Sequence, residues 1–200
     1  MLFRSFIGDM TSLVGGAAQD KDEATTVEVA RRLLADLVAQ DDWLPEAMAK
    51  GPPHGYAQNL LWCDPFERFS VVSFVWGPGA KTPVHDHQMW GLVGMLRGSE
   101  TSQAFVRDPA TGTMKLGALS KLEPGDVEVL LPAQGDIHQV TNALTDKSSI
   151  SIHVYGGNIG AVRRHTFDVE TGKPNLFVSG YTNQIVPNLW DRSAEVRASN

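Results

Sequence analysis

The 200-residue sequence contains one cysteine, Cys63, so no internal disulfide can form. That usage fits a reducing compartment such as the cytoplasm, where thiols stay reduced. Basic residues are also scarce. Seventeen Lys and Arg face 23 Asp and Glu, a formal charge of −6, and no basic stripe is visible. Nucleic acid is thereby excluded as the main partner, since phosphate binding needs clustered cations. Long apolar runs are missing too. None approaches the ~20 residues that a membrane helix requires. Residues 1–9 hold apolar side chains without an uninterrupted hydrophobic stretch or a small-residue cleavage site, so they are expected to belong to the mature protein. There is no internal repeat and no low-complexity tract.

What is present fits one domain. A chain of this length can bury about 70% of its unfolded surface and needs no covalent staples. Residues 25–39 predict a helix, with Thr25 or Thr26 as cap and Glu28 in the first turn. Val29, Ala30, Leu33, Leu34, Leu37 and Val38 form its apolar stripe. A second helix is expected to start near residues 41–46, and Gly51-Pro52-Pro53-His54-Gly55 ends this region. The texture then changes. Nine short β candidates follow, at residues 56–62, 69–76, 90–96, 101–107, 127–131, 137–142, 148–155, 162–169 and 175–178, divided by Gly and Pro. Helices first and strands after exclude a βαβ pattern and predict a mainly β, closed or double-sheet architecture. The expected layout is an N-terminal helical segment over residues 1–55, a barrel over 56–185 and a largely polar tail over 186–200.

The segment Val84-His85-Asp86-His87-Gln88-Met89-Trp90-Gly91 organises the chemistry. Two residues apart on a strand share a face, so His85 and His87 are expected to project together while Asp86 points away. An antiparallel neighbour could bring His138 to the same spot. Three imidazoles on a rigid sheet suit a first-row transition metal and leave positions open. The plainer reading makes His85 and His87 exposed residues at a strand end. His54 and His165 have no partner at ligand spacing and read as surface or loop histidines. Trp62, Trp76, Trp90 and Met89 read chiefly as packing residues.

Two stretches resemble the paired motifs of the cupin superfamily. The first runs Gly79, five residues, His85-Asp86-His87, three residues, Gly91, six residues, Gly98. The second holds Gly125, Pro132, Gly135, His138 and Asn142. The resemblance implies a jelly-roll barrel with a metal in its mouth. The usual cupin glutamate of the first motif is missing, and Gly91 stands in its slot. Three histidines without a carboxylate resemble the cysteine dioxygenase-like thiol dioxygenases, which use Fe(II). Ser151-Ile152-His153-Val154-Tyr155 is similar to that family's Ser-His-Tyr triad, at alternate positions of one strand.

Two further positions resemble the bacterial 3-mercaptopropionate dioxygenase branch. In Tyr56-Ala57-Gln58-Asn59-Leu60, Gln58 occupies the place of the family's carboxylate-binding arginine. Gly91 occupies the place of the cysteine that elsewhere crosslinks to the active-site tyrosine. The branch implies Arg164, with Arg163 as alternate, as the carboxylate holder, and Gln58 as donor of one hydrogen bond to substrate. It implies a small thiol carboxylate and O₂ as partners and a sulfinic acid as product; a monomer or small homo-oligomer is expected. Each assignment has a plainer counterpart. Ser151, His153 and Tyr155 could be mutually bonded core residues, Arg164 a surface residue paired with Asp168 or Glu170, and Gln58 a buried amide satisfied by backbone. The competing functions are a cysteine dioxygenase or broad small-thiol dioxygenase, a non-catalytic metal-binding cupin sensor, and a cupin isomerase or oxygenase using Ni, Mn or Cu.

Overall fold

A computed structural model describes residues 2–15, 22–191 and 193–198. Three helices lead: α1 (Phe3–Gly15), α2 (Glu23–Val38) and the single turn α3 (Glu46–Ala49). The strands follow as β1 (Tyr56–Cys63), β2 (Ser70–Trp76), β3 (Val84–His85), β4 (Gly91–Arg97), β5 (Glu100–Arg107), β6 (Met114–Leu122), β7 (Val127–Leu130), β8 (His138–Asn142), β9 (Ser149–Tyr155), β10 (Arg164–Phe167) and β11 (Pro174–Phe177). A short helix, α4 (Ser193–Ala198), lies in the segment read as a polar tail.

The strands make two antiparallel sheets. One has the order β1-β2-β9-β4-β7, the other β11-β10-β3-β8-β5-β6. Every residue of β2 and β9 is buried, because each covers two layers. Val71, Val75, Leu92, Leu96, Ile150, Ile152 and Val154 share one core with the helices. Val72, Phe74, Trp76, Val140 and Tyr155 share another. Period 2 sends neighbouring residues to opposite layers, so these strands read as unbroken apolar runs.

The helices cap the first layer. On α2, Val27, Ala30, Leu34, Leu37 and Val38 are buried at helical spacing. Fully burying one such leucine is worth about 1.5–3 kcal/mol. Gly94 on β4 permits the close approach, since a Cβ there would come 2.9 Å from Leu34 Cγ and 3.0 Å from Val38 Cγ1. The helix is capped by Asp22, whose carboxylate accepts the Thr25 backbone N–H at 2.7 Å. The expected caps Thr25 and Thr26 lie inside the first turn instead. Strand β6 has no counterpart among the nine expected strands, and α1 forms within the expected helical segment 1–55 but without predicted bounds of its own. Helix α1 buries Phe3, Phe6, Ile7, Met10 and Leu13 on one stripe, and β6 is an edge strand exposed along most of its length. Among the described residues, no helix is long and apolar enough to cross a membrane.

Candidate metal centre and substrate pocket

Strand β3 has two residues because the chain turns sharply after it. His85 pairs in register with His138 on β8 and with Thr166 on β10. Asp86 then points away from the histidines while staying buried. Its carboxylate accepts the His165 backbone N–H at 2.7 Å, the His165 Nδ1–H at 3.0 Å and the Gln88 side-chain N–H at 2.7 Å. His165 is therefore a strand residue that anchors the turn, not a loop histidine. Gln88 completes the turn with φ 62°, and His87 swings back beside His85.

The ring centroids of His85, His87 and His138 are pairwise 4.9 Å apart. Their donor atoms all lie within 4.8 Å of one another, and all three residues are buried. Each Nδ1 has its own partner: the Pro83 carbonyl for His85 at 3.0 Å, Asp136 Oδ2 for His87 at 3.3 Å, and Ser102 Oγ for His138 at 2.9 Å. That fixes the rings and leaves each Nε2 for a common centre. Burial, reinforced by neighbouring His87, lowers His85 to about 3. Burial likewise drives His138 well below its ordinary value. Burial raises the Asp136 carboxyl, but its bonds to His87 outweigh this and hold it below the usual range. Lone pairs of nitrogen converging without a carboxylate are the donor set of an imidazole metal site. The residues fit a metal.

Beside this cluster, β9 carries the predicted triad on one buried face. Ser151 Oγ is 2.9 Å from His153 Nε2, and His153 Nδ1 is 2.8 Å from Tyr155 Oη. Trp76 extends the chain by donating its indole N–H to Ser151 Oγ at 3.1 Å. Burial, aided by His87, holds His153 neutral, and burial pushes the Tyr155 phenol well above its ordinary value. The Tyr155 ring stacks on His87 at 5.7 Å.

A cavity opens onto His85, His138, His153 and Tyr155. Tyr56, Phe74, Trp76, Val140 and Phe177 make its apolar walls, and Gln58, Arg164 and Ser179 its far polar end. Arg164 is 4% exposed. It pairs with neither Asp168 nor Glu170. Its Nη2 donates to Ser179 Oγ at 2.9 Å, its guanidinium lies 4.7 Å over the Phe177 ring, and its Nε is buried without a partner. Arg163, the alternate, is exposed. Gln58 is buried, but its side-chain N–H groups go to Ser179 Oγ at 3.2 Å and the Gly180 carbonyl at 3.0 Å. The expected donation to substrate is thus already committed within the protein. Gln58 instead ties down residues 179–180 beside Arg164.

Residues 18–169 match the family model described as cysteine dioxygenase type I. The chain belongs to the cysteine dioxygenase type I family. A cysteine dioxygenase type I protein is a dioxygenase, and the family implies a thiol and O₂ as reactants. Solved structures similar to the chain include a protein with a double-stranded β-helix domain from Klebsiella pneumoniae, 16% identical, spanning 60% of this chain and 95% of its own, with TM-score 0.46. A cupin superfamily protein from Desulfitobacterium hafniense is 14% identical, spanning 60% of this chain and 94% of its own, with TM-score 0.44.

For this cysteine dioxygenase type I chain, several residues of the site escape the sequence reading. Asp136 stands two positions before His138, yet nothing in that spacing says it meets His87. Ser102, Ser179 and the indole of Trp76 are likewise brought in across strands. Gly91, by contrast, lies where the resemblance implies. It pairs in register with Tyr155, and a Cβ there would touch Tyr155 Cδ1 and Cε1 at 3.1 Å. No thiol stands at that position, and the sole cysteine is on β1.

Proposed function

We propose that this protein is a non-haem Fe(II) thiol dioxygenase that adds both atoms of O₂ to the sulfur of a small thiol carboxylate, 3-mercaptopropionate, to give the sulfinic acid. The observation that carries the substrate class is Arg164. A buried guanidinium with no carboxylate partner is costly unless an anion arrives, and it lines the same cavity as His85 and His138 of the cluster. A bidentate N–H pair would both charge-balance and orient a substrate carboxylate. Preference over cysteine follows from what the cavity lacks. Among its described lining residues there is no Asp or Glu, so a cysteine ammonium would be buried beside Arg164 with no counter-charge.

His85, His87 and His138 would hold the iron, which supplies the redox chemistry that lets O₂ react with a thiol and favours the thiolate form. The chain does the rest. Asp136, the Pro83 carbonyl and Ser102 keep the imidazoles oriented. Phe74 and Trp76 wall the cavity beside the triad against water, and Phe177 covers Arg164. Tyr155 offers its hydroxyl to O₂ or to the substrate carboxylate. Its direction is set by His153, and that of His153 by Ser151.

The test is oxygen uptake by iron-quantified protein given 3-mercaptopropionate and L-cysteine in parallel. The expected result is a much higher kcat/KM for 3-mercaptopropionate with one O₂ consumed per sulfinate. Preference for cysteine would overturn the substrate, and no uptake with either at full iron loading would bring forward the non-catalytic cupin.

A further inference from the structure

Glu100, at the start of β5, is fully buried and takes no part in the chemistry above. Ser149 donates its hydroxyl to Glu100 Oε1 at 2.9 Å. Oε2 is buried and makes no hydrogen bond. Ser149 is on β9, and Ser151, His153 and Tyr155 follow on the same face at period 2, so Glu100 sits at the inner end of the triad. The other charged group facing it is Glu128 of β7, whose Oε2 is likewise buried and unpartnered while its Oε1 accepts from Ser120 at 2.8 Å. The remaining titratable groups on the β9 face are His153 and Tyr155.

We propose that Glu100 is a positioning residue that sets the direction of the Ser151–His153–Tyr155 hydrogen-bond chain, and so decides whether Tyr155 gives its hydroxyl proton to the pocket or to His153. This rests on the thiol dioxygenase reading for its catalytic meaning, though not for its structural content.

An indole N–H can only donate, so Ser151 Oγ accepts from Trp76 and has one proton of its own to give. While Glu100 is a neutral acid, Ser151 gives that proton to His153 Nε2. His153 then carries its proton on Nδ1 and donates to Tyr155 Oη, and the Tyr155 O–H is free to enter the pocket. When Glu100 ionises, the carboxylate, already bonded by Ser149, also competes for the neighbouring Ser151 hydroxyl, and charged acceptors win by roughly twofold in strength. Ser151 turns to Glu100. His153 must then place its proton on Nε2 to donate to Ser151, and Nδ1 becomes an acceptor for Tyr155 O–H. The hydroxyl is withdrawn from substrate with no change in any heavy-atom position. Burial pushes the Glu100 carboxyl up to about 8, opposed by the neighbouring Ser149 and Ser151 hydroxyls and assisted by Glu128. The neutral form prevails at pH 7.

Two readouts test this. The first is the His153 tautomer, read by ¹⁵N NMR in zinc-loaded, diamagnetic protein. It should be the Nδ1–H form at pH 7, switch to Nε2–H between pH 7 and 9.5, and stay Nδ1–H throughout in Glu100→Gln, whose amide remains a donor. A single tautomer across that range in the unmodified protein overturns the proposal, and this measurement stands even if Glu100→Gln fails to fold. The second is kcat for oxygen uptake with iron-loaded protein. It should be roughly tenfold lower at pH 9 than at pH 7 through this one ionisation, with Glu100→Gln showing no such fall and Glu128→Gln retaining it. An alkaline limb unchanged in Glu100→Gln overturns the proposal. A tautomer switch without any oxygen uptake upholds the role of Glu100 and counts against the dioxygenase reading alone.

Discussion

His87 and Asp136 are joined twice, although 49 positions separate them: the His87 backbone N–H donates to Asp136 Oδ2 at 2.8 Å, and the His87 ring nitrogen Nδ1 lies 3.3 Å from the same oxygen. One carboxylate oxygen therefore fixes both the backbone and the ring of a proposed metal ligand. Partners of this kind are worth 10–100-fold in metal affinity. Asp136→Ala is expected to lose iron by about that factor in competition with a chelator while the far-ultraviolet circular dichroism is retained. Unchanged iron affinity would show that Asp136 is dispensable to the centre.

Arg164 and Gln58 both touch Ser179, yet they should behave differently. Charge-assisted hydrogen bonds contribute about 1.5–3 kcal/mol, so Arg164→Ala should raise KM for 3-mercaptopropionate about 10–100-fold. Gln58→Ala should do much less, since its N–H groups bond only the protein's own chain. Equal and small effects in the two variants would remove the carboxylate assignment.

Tyr155→Phe removes the last hydroxyl of the triad and leaves the ring that stacks on His87. Turnover should fall on the order of 100-fold, with the iron content of the purified protein unaltered. Iron lost together with activity would make the residue a support for the metal and not a participant.

Acid should unfold the metal-free protein through its histidines. His85, His138 and His153 are held neutral in the fold but protonate near 6.5 once unfolded. Below 6.5 the unfolded chain binds more protons, so stability falls as pH falls. For His85 the loss continues down to about 3. Each histidine contributes up to about 1.4 kcal/mol per pH unit. Urea midpoints measured from pH 7 to pH 4 should drop steeply, and a flat series would contradict the burial of neutral imidazoles.

Gly94 is the point where α2 meets β4. A valine there would press on Leu34 and Val38 and cost about 1–3 kcal/mol by overpacking, or about 2–4 °C of thermal midpoint per kcal/mol in a chain of this size. Calorimetry on Gly94→Val reads this directly.

The local pattern accounts for much of the architecture. The His85–Asp86–His87 and Ser151–His153–Tyr155 spacings are statements about period 2, and a strand converts them into shared faces with no tertiary information. Helix α2 was legible because its stripe repeats over four turns. Strand β6 is not, since an exposed edge strand buries too little to leave an alternating pattern, and α1 is legible only as part of the N-terminal helical segment, without bounds of its own. His165 was misread because its partner, Asp86, lies 79 positions away.

By itself, the sequence determined which residues share a strand face, which stretches are apolar on both sides, and which metal-binding side chains the chain possesses. Only the tertiary structure decided which groups meet. The pairing of β3 with β8 and β10 sets His138 against His85, the strap at residues 179–180 settles that Gln58 serves the protein while the Nε of Arg164 is left open, and the apposition of β5 with β9 puts Glu100 behind the triad. Hydrogen bonds and desolvation act over a few ångströms, and those distances are created by strand register and sheet packing, which no local spacing encodes.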